Sequence, residues 1–139
     1  MSSLRLLIID SHQYFLRSAC CYLKQLPGIE AVETAADFDQ ANLHADQQQP
    51  DLILIDHEML AGNRWYIKEL QKFKQSNPDL EVLALYLFKN DLVDYYPPGS
   101  HPISGGIAKE TFAVNLLEYI SSRHKQSFAN RSGQGKEVD

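Results

Sequence analysis

The sequence predicts an α/β domain built on a doubly wound, five-stranded parallel sheet. The segments 6–9 (LLII) and 52–55 (LILI) are short, apolar throughout and flanked by polar residues, which is typical of strands buried on both faces of a parallel sheet. Three further short apolar segments alternate with stretches of helical periodicity. Because strand–helix–strand connections are right-handed, helices are expected to cover both faces of this sheet.

The first half of the chain supplies three strands and two helices. After the first strand, residues 12–26 place apolar side chains at helical spacing, and Pro27-Gly28 ends the helix. A second strand is expected at 29–34. Asp37 then suits the N-cap of a second helix, which the polar run 47–50 stops before the third strand. The apolar positions of these helices are Phe15, Ala19, Tyr22, Leu23 and Leu26, then Phe38, Ala41 and Leu43.

The second half continues the alternation. A helix at 64–75 follows the Gly62-Asn63 loop, and a fourth strand is expected at 82–86. A helix at 90–96 would be cut short by prolines, which lack the amide proton and clash with the preceding turn. The fifth strand is expected at 106–108, before a last helix capped by Thr111. The apolar positions are Trp65, Ile67 or Tyr66, Leu70 and Phe73, then Phe112, Leu116 or Leu117, and Ile120; the prolines are Pro97, Pro98 and Pro102.

Composition limits the functional classes. The chain has 139 residues and 44% hydrophobic content, as expected of one soluble globular domain. Its formal net charge of −5 argues against binding to nucleic acid or an anionic membrane by this domain itself. No apolar stretch approaches the ~20 residues of a membrane span, and the start lacks a secretory signal. Adjacent Cys20 and Cys21 cannot pair without strain, so reduced thiols in the cytoplasm are expected.

Domain boundaries follow from the same patterns. The folded domain is expected to span residues 1–125. Residues 126–139 are polar and contain Gly and Ser, which predicts a disordered tail or the start of a linker.

Three ionisable residues follow three predicted strands: Asp10, Asp56 and Lys109. In open α/β sheets the functional crevice lies outside the carboxyl ends of the strands. Two carboxylates at that edge repel each other unless a cation or hydrogen bonds compensate. Metal-assisted phosphoryl chemistry is the leading explanation for such a pair. The alternatives without chemistry are a loop-capping role for Asp56 and a purely structural bridge from Lys109 to either acid.

Four segments, in order, carry a resemblance to a known family: LLIIDSHQYF, PDLILIDHEMLAGN, NPDLEVLALY and GGIAKE. Together they resemble the receiver domain of bacterial two-component response regulators over about residues 4–124, which implies a flavodoxin-like three-layer sandwich. By this resemblance Asp56 is the phosphoacceptor, Asp10 and Asp56 belong to an acidic Mg²⁺ pocket, and Lys109 contacts the acyl phosphate. Hard oxygen ligands suit Mg²⁺ rather than zinc.

The resemblance also implies partners. A sensor histidine kinase or a phosphotransfer protein would donate the phosphoryl group. A homodimer would use the face formed by helix 90–96, the fifth strand and the last helix. No enzymatic activity is implied beyond self-phosphorylation and hydrolysis of the protein's own acyl phosphate.

Several positions depart from the family pattern. Ser11 replaces the second acid after the first strand, so Mg²⁺ binding is expected to be weak or absent. Tyr86 replaces the small hydroxyl residue of the conformational switch, and Leu60 replaces a loop proline. Glu58 would either supply the missing negative ligand or repel the incoming phosphoryl group.

These departures keep a second hypothesis open: a phosphorylation-independent pseudo-receiver that acts as a protein–protein interaction module. A flavin or nucleotide carrier is a weaker third hypothesis, because the loops lack a glycine-rich phosphate cradle. His12 and His57 flank the acids, but no spaced third ligand supports zinc, and polar loop histidines are the simpler interpretation. Tyr95 and Tyr96 fit an exposed partner patch or the core side of a short helix equally well.

Overall fold

The computed structural model describes residues 3–61, 63–87 and 102–122. The predicted helix at 90–96, Pro97, Pro98, the Tyr95–Tyr96 patch and the predicted tail at 126–139 lie outside these residues.

Five parallel strands form one sheet in the order β2-β1-β3-β4-β5. This arrangement confirms the predicted doubly wound sheet, and the strand order reverses between β1 and β3. The strands are β1 (Leu4–Ile9), β2 (Ile29–Ala35), β3 (Leu52–Asp56), β4 (Glu81–Tyr86) and β5 (Gly105–Ala108).

Helices cover both faces of the sheet and complete a three-layer sandwich. Residues of α1 and α5 pack on one face, and residues of α2, α3 and α4 pack on the other. The helices are α1 (Gln13–Lys24), α2 (Phe38–Gln48), α3 (His57–Leu60), α4 (Arg64–Ser76) and α5 (112–122), and a 3₁₀ turn (Lys109–Thr111) precedes α5. Within the described ranges, no helix is both long and apolar enough to cross a bilayer.

Strand side chains alternate between two separate cores. In β1, Leu6 and Ile8 contact the α1/α5 layer, whereas Leu7 and Ile9 contact the opposite layer. All five residues of β3 are buried, as the LILI pattern predicts for a central parallel strand. The short aliphatic runs therefore fix both faces of the sheet at once.

Local signals explain where the helices begin. The Asp37 side chain accepts a hydrogen bond of 2.9 Å from the Gln40 amide, which confirms the predicted N-cap. Asn63 makes the same kind of contact with the Tyr66 amide, at 3.3 Å. At the turn after α1, Gly28 has a φ of +86°, a conformation that favours glycine.

Three expectations about packing are wrong in detail. Leu43 is 62% exposed and Trp65 is 48% exposed, although each was placed on an apolar helix face. Conversely, Leu16 is buried in α1 and is missing from the predicted face. The short helix α3 directly after β3 is also an addition, because four residues are too few to show a helical period.

Candidate functional site

The candidate site lies at the carboxyl edge of the sheet, where the strand order reverses. β1 and β3 pair in parallel up to Ile9 and Ile55. The next residues along each strand, Asp10 and Asp56, are therefore neighbours at this edge. Crevices at such reversal points are the usual binding sites of open α/β sheets.

A lysine side chain joins the two acids. Lys109 follows β5, and its Nζ lies 2.7 Å from Asp10 Oδ2 and 3.0 Å from Asp56 Oδ1. The exposed fractions of the three side chains are 9%, 0% and 3% for Lys109, Asp10 and Asp56. The structure thus brings together the three residues that the sequence places on three different strands.

Burial and charge shape the ionisation of this trio. Burial, followed by the charge of Asp10, raises the pKa of Asp56, and Lys109 opposes that rise. Burial also lowers the pKa of Lys109, but the two carboxylates outweigh it and leave that pKa above its ordinary value. Lys109 therefore stays charged and partly compensates two acids that burial alone would disfavour.

One carboxylate oxygen of the two acids has neither a hydrogen-bond donor nor an ion-pair partner among the described residues. Asp56 Oδ2 is buried and accepts no hydrogen bond from any residue in the described ranges. Asp10 Oδ2 has the ammonium of Lys109 as its ion-pair partner. A buried carboxylate oxygen without a donor costs free energy, so the pocket is poised to receive a cation or a donor group.

His12 extends the cluster. Its backbone amide donates to Asp10 Oδ1 at 2.9 Å, and its ring Nδ1 lies 2.8 Å from the same oxygen. Nδ1 also lies 3.3 Å from Lys109 Nζ. The imidazole is about half exposed, with 54% of its side-chain surface accessible. The expected polar loop histidine is thus a direct partner of the acidic pair.

An aromatic ring supports the lysine. The ammonium of Lys109 lies 5.1 Å from the ring centroid of Phe15, within the range of a cation–π contact. Phe15 in turn packs edge-to-face on Phe112, with ring centroids 5.2 Å apart. The helical spacing of Phe15 predicts only a core residue, because spacing carries no information about a cation from the far end of the chain.

The remaining predicted site positions differ in their exposure. Ser11 and Glu58 are exposed, and Glu58 adds a repulsion that raises the pKa of Asp56. Tyr86 is half-buried at the end of β4, where it pairs with Ala108. His57, which the sequence predicts as a polar loop histidine, lies instead in α3 and is only 7% exposed.

The donor set suits a divalent cation. One ligand atom each from Asp10, His12 and Asp56 lies within 4.8 Å of the others. Carboxylate oxygens are the ligands that Mg²⁺ prefers, and the unsatisfied Asp56 Oδ2 offers one of them. The residues fit a metal, but with one negative charge fewer than an acid at position 11 would provide.

Response regulators are among the proteins that this chain resembles in sequence. No family model matches the chain. The response regulator GacA of Pseudomonas viridiflava is 25% identical over 142 aligned residues, and GacA of Pseudomonas syringae pv. syringae is 24% identical. These alignments cover 94% of the chain but only 64% of the relatives, so the chain spans less than two thirds of their length.

Solved structures share the fold. The non-phosphorylated receiver domain of the stress response regulator RcsB from Escherichia coli superposes with a TM-score of 0.69 at 17% identity, over 90% of this chain and 95% of that one. A CheY-like receiver domain protein from Methanospirillum hungatei gives a TM-score of 0.66 at 19% identity, over 93% and 99%. With the sequence relatives, these structures show that the chain has the five-stranded α/β fold of response regulator receiver domains.

Proposed function

We propose that Asp56 accepts a phosphoryl group from the phosphohistidine of a sensor histidine kinase or a phosphotransfer protein. The observation that carries this proposal is the asymmetry of the Asp56 carboxylate: Lys109 holds Oδ1 at 3.0 Å, while the buried Oδ2 has no donor among the described residues. Lys109 fixes the orientation of this carboxylate, and an Asp56 oxygen then acts as the nucleophile.

The chemistry requires charge neutralisation at this edge of the sheet. In the transfer, an Asp56 oxygen forms a bond to phosphorus while the phosphorus–nitrogen bond to the donor histidine breaks, and the imidazole leaves. Negative charge gathers on the phosphoryl oxygens beside Asp10. Lys109 supplies one positive charge in a site largely shielded from water, where it is worth more than at the surface.

A divalent cation would supply the rest. We assign Asp10 and Asp56 as its carboxylate ligands. Glu58 would be an outer acid, because it is exposed and is not among the three residues whose ligand atoms converge. When bound, such a cation neutralises the phosphoryl oxygens. Ser11 contributes no charge, so weak Mg²⁺ binding is expected. Turnover of any other substrate is not part of the proposal.

Two apolar side chains of α5 are exposed to solvent. Val114 and Leu117 are three residues apart on α5, and they are 60% and 42% exposed. Apolar side chains at that spacing share one helix face. We propose that this face, with β5, forms a homodimer contact when the domain is phosphorylated, in the cytoplasm where histidine kinases present their phosphohistidine.

The test is phosphorylation of the full chain by acetyl phosphate with Mg²⁺, followed by intact-mass spectrometry. We expect the mass of one phosphate on the wild type and none on Asp56→Asn. Asp79→Asn, a change at an exposed loop acid, is the matched control and should behave as the wild type. Absence of any mass gain at saturating phosphodonor would reject the proposal and favour the phosphorylation-independent interaction module.

A further inference from the structure

The acidic pocket of this chain contains an imidazole as well as carboxylates. We propose that Asp10, His12 and Asp56 form a mixed nitrogen–oxygen site that binds a borderline divalent transition metal, of the Co²⁺ or Zn²⁺ class, in preference to Mg²⁺. The proposal deepens the proposed function, and rests on it in taking Asp10 and Asp56 as the cation pocket.

The position of His12 is fixed by two contacts to one carboxylate oxygen. Its amide donates to Asp10 Oδ1, and its Nδ1 lies 2.8 Å from that oxygen. Around a metal with bonds of roughly 2.1 Å, neighbouring octahedral ligand atoms lie about 3 Å apart. The observed separation of Nδ1 and Oδ1 is therefore close to that of two adjacent ligands of one ion.

The charges around His12 point to a cation as well. Nδ1 faces Asp10 Oδ1 on one side and Lys109 Nζ, at 3.3 Å, on the other. A metal ion bound by Nδ1 and Asp10 Oδ1 satisfies the nitrogen and the oxygen together, while Lys109 keeps its contacts with Asp10 Oδ2 and Asp56 Oδ1.

An independent observation comes from Asp56. Its Oδ2 is buried and has no hydrogen-bond donor among the described residues, in a side chain that is 3% exposed. Asp10 and Asp56 also carry two negative charges against the one positive charge of Lys109, which leaves a net negative charge in a buried place. Both features are relieved by a divalent cation.

The types of ligand atom in the pocket determine which cation it prefers. Mg²⁺ prefers an octahedral shell of oxygens and waters, and imidazole is a poor ligand for it. Imidazole suits the later first-row metals, whose affinities generally rise from Mn²⁺ through Co²⁺ and Ni²⁺. Ser11 removes one charged oxygen from the pocket, and His12 places a nitrogen next to it. The exchange shifts the preference of the pocket away from Mg²⁺.

The experiment is calorimetric titration of the full chain with Co²⁺ and, separately, with Mg²⁺, together with the visible absorption spectrum of the Co²⁺ form. We compare the wild type with His12→Asn. His44→Gln is the matched control, because His44 also has its Nδ1 near a carboxylate, 3.6 Å from Glu33, but lies on α2 outside the cluster.

We expect the wild type to bind one Co²⁺ at least tenfold more tightly than Mg²⁺. His12→Asn should lower the Co²⁺ affinity tenfold or more and leave the Mg²⁺ affinity within twofold, while His44→Gln changes neither. The visible bands of bound Co²⁺ should shift in His12→Asn alone. Circular dichroism of each variant verifies that it is folded.

Two results would overturn the inference. One is wild-type Co²⁺ affinity in a folded His12→Asn protein, which would make His12 a simple hydrogen-bond partner of Asp10. The other is equal affinity of the wild type for Co²⁺ and Mg²⁺. A protein that binds Co²⁺ through His12 but gains no phosphate at Asp56 would reject the proposed function and retain this site, so the two failures are distinguishable.

Discussion

Two clusters at opposite ends of the sheet combine one basic residue with two acids, and they differ mainly in their access to water. At the carboxyl edge, Lys109 lies between Asp10 and Asp56. Near the amino-terminal ends of the strands, Arg5 contacts Glu30 and Asp51. The side chains of Arg5 and Glu30 are 45% and 47% exposed, whereas those of Lys109, Asp10 and Asp56 are 9%, 0% and 3% exposed.

The Arg5 cluster is a surface network. The Arg5 amide donates to Asp51 Oδ2 at 2.9 Å, and its guanidinium donates to Glu30 and to the Gln48 carbonyl. A register shift between β1 and β2 occurs at Leu4/Arg5, beside this network. The cluster lines an open cavity of about 710 Å³, so its polar groups remain in contact with solvent.

The comparison shows that burial, rather than the number of ion pairs, decides what a charge cluster can do. Exposed pairs add little to stability, because water and salt screen them. Buried acids persist only with a partner, and the free energy lost when that partner is removed is large. The carboxyl edge therefore holds charge at an energetic cost, which is expected of a functional site, whereas the amino end requires no such explanation.

The largest expected effect comes from removing the buried cation. Lys109→Met leaves Asp10 and Asp56 without a positive partner, and we expect a loss of about 3 kcal/mol in the free energy of unfolding. Urea denaturation at neutral pH measures this difference.

The matched change at the other end of the sheet is Arg5→Met. It removes the guanidinium that pairs with Glu30 in water and leaves the Arg5 amide to donate to Asp51, so the urea midpoint should stay almost unchanged. Equal losses in the two variants would contradict the comparison. In Lys109→Met/Asp56→Asn, removal of one acid should restore much of the stability.

The sequence predicted the fold well, because its signals are local. Four-residue aliphatic runs specify central strands, and Asp37 and the Pro27-Gly28 turn specify where helices begin and end. The convergence of Asp10, Asp56 and Lys109 also followed from the parallel sheet, in which the ends of all strands share one edge.

The parts that could not be predicted depend on contacts between distant segments. The cation–π contact of Phe15 requires knowledge of where Lys109 arrives. The conformation of the loop after β1 brings His12 against Asp10, and the residue pattern of the sequence does not encode that conformation. Trp65 packs its edge on Phe38, with ring centroids 5.4 Å apart, and yet keeps about half its surface in solvent, an outcome that periodicity cannot resolve.

The second prediction concerns the ionised form of Asp56. Burial and the charge of Asp10 raise its pKa in the folded state, so the folded protein holds this proton more tightly than the unfolded chain. Ionised Asp56 therefore lowers stability at neutral pH, and Asp56→Asn should be more stable than the wild type.

The stability difference between Asp56→Asn and the wild type should depend on pH. The stability advantage of Asp56→Asn should be absent below the ordinary pKa of 3.8 and grow as the pH rises through the raised folded-state value. Urea titrations from pH 3 to pH 7 on both proteins measure it. An advantage that shrinks with rising pH would show that Lys109 overcompensates the burial of Asp56.

A smaller effect is expected from the aromatic support of the cluster. Phe15→Leu keeps an apolar side chain but removes the ring beneath Lys109 and the edge-to-face contact with Phe112, at an expected cost of about 1 kcal/mol. A double-mutant cycle with Lys109→Met isolates the contact with the cation. Strict additivity of the two changes would mean that the ring serves the hydrophobic core alone.

The smallest effect separates the two roles considered for Glu58. Glu58 is exposed in α3 and raises the pKa of Asp56 by charge repulsion, so Glu58→Gln should speed phosphorylation by acetyl phosphate about twofold. Because the interaction passes through solvent, 0.5 M salt should abolish the difference. If Glu58 instead supplies the missing negative ligand, Glu58→Gln will slow phosphorylation and weaken Mg²⁺ binding at any salt concentration. The initial rate at low and high salt, measured side by side with the wild type, distinguishes a repelling charge in water from a true member of the buried cluster.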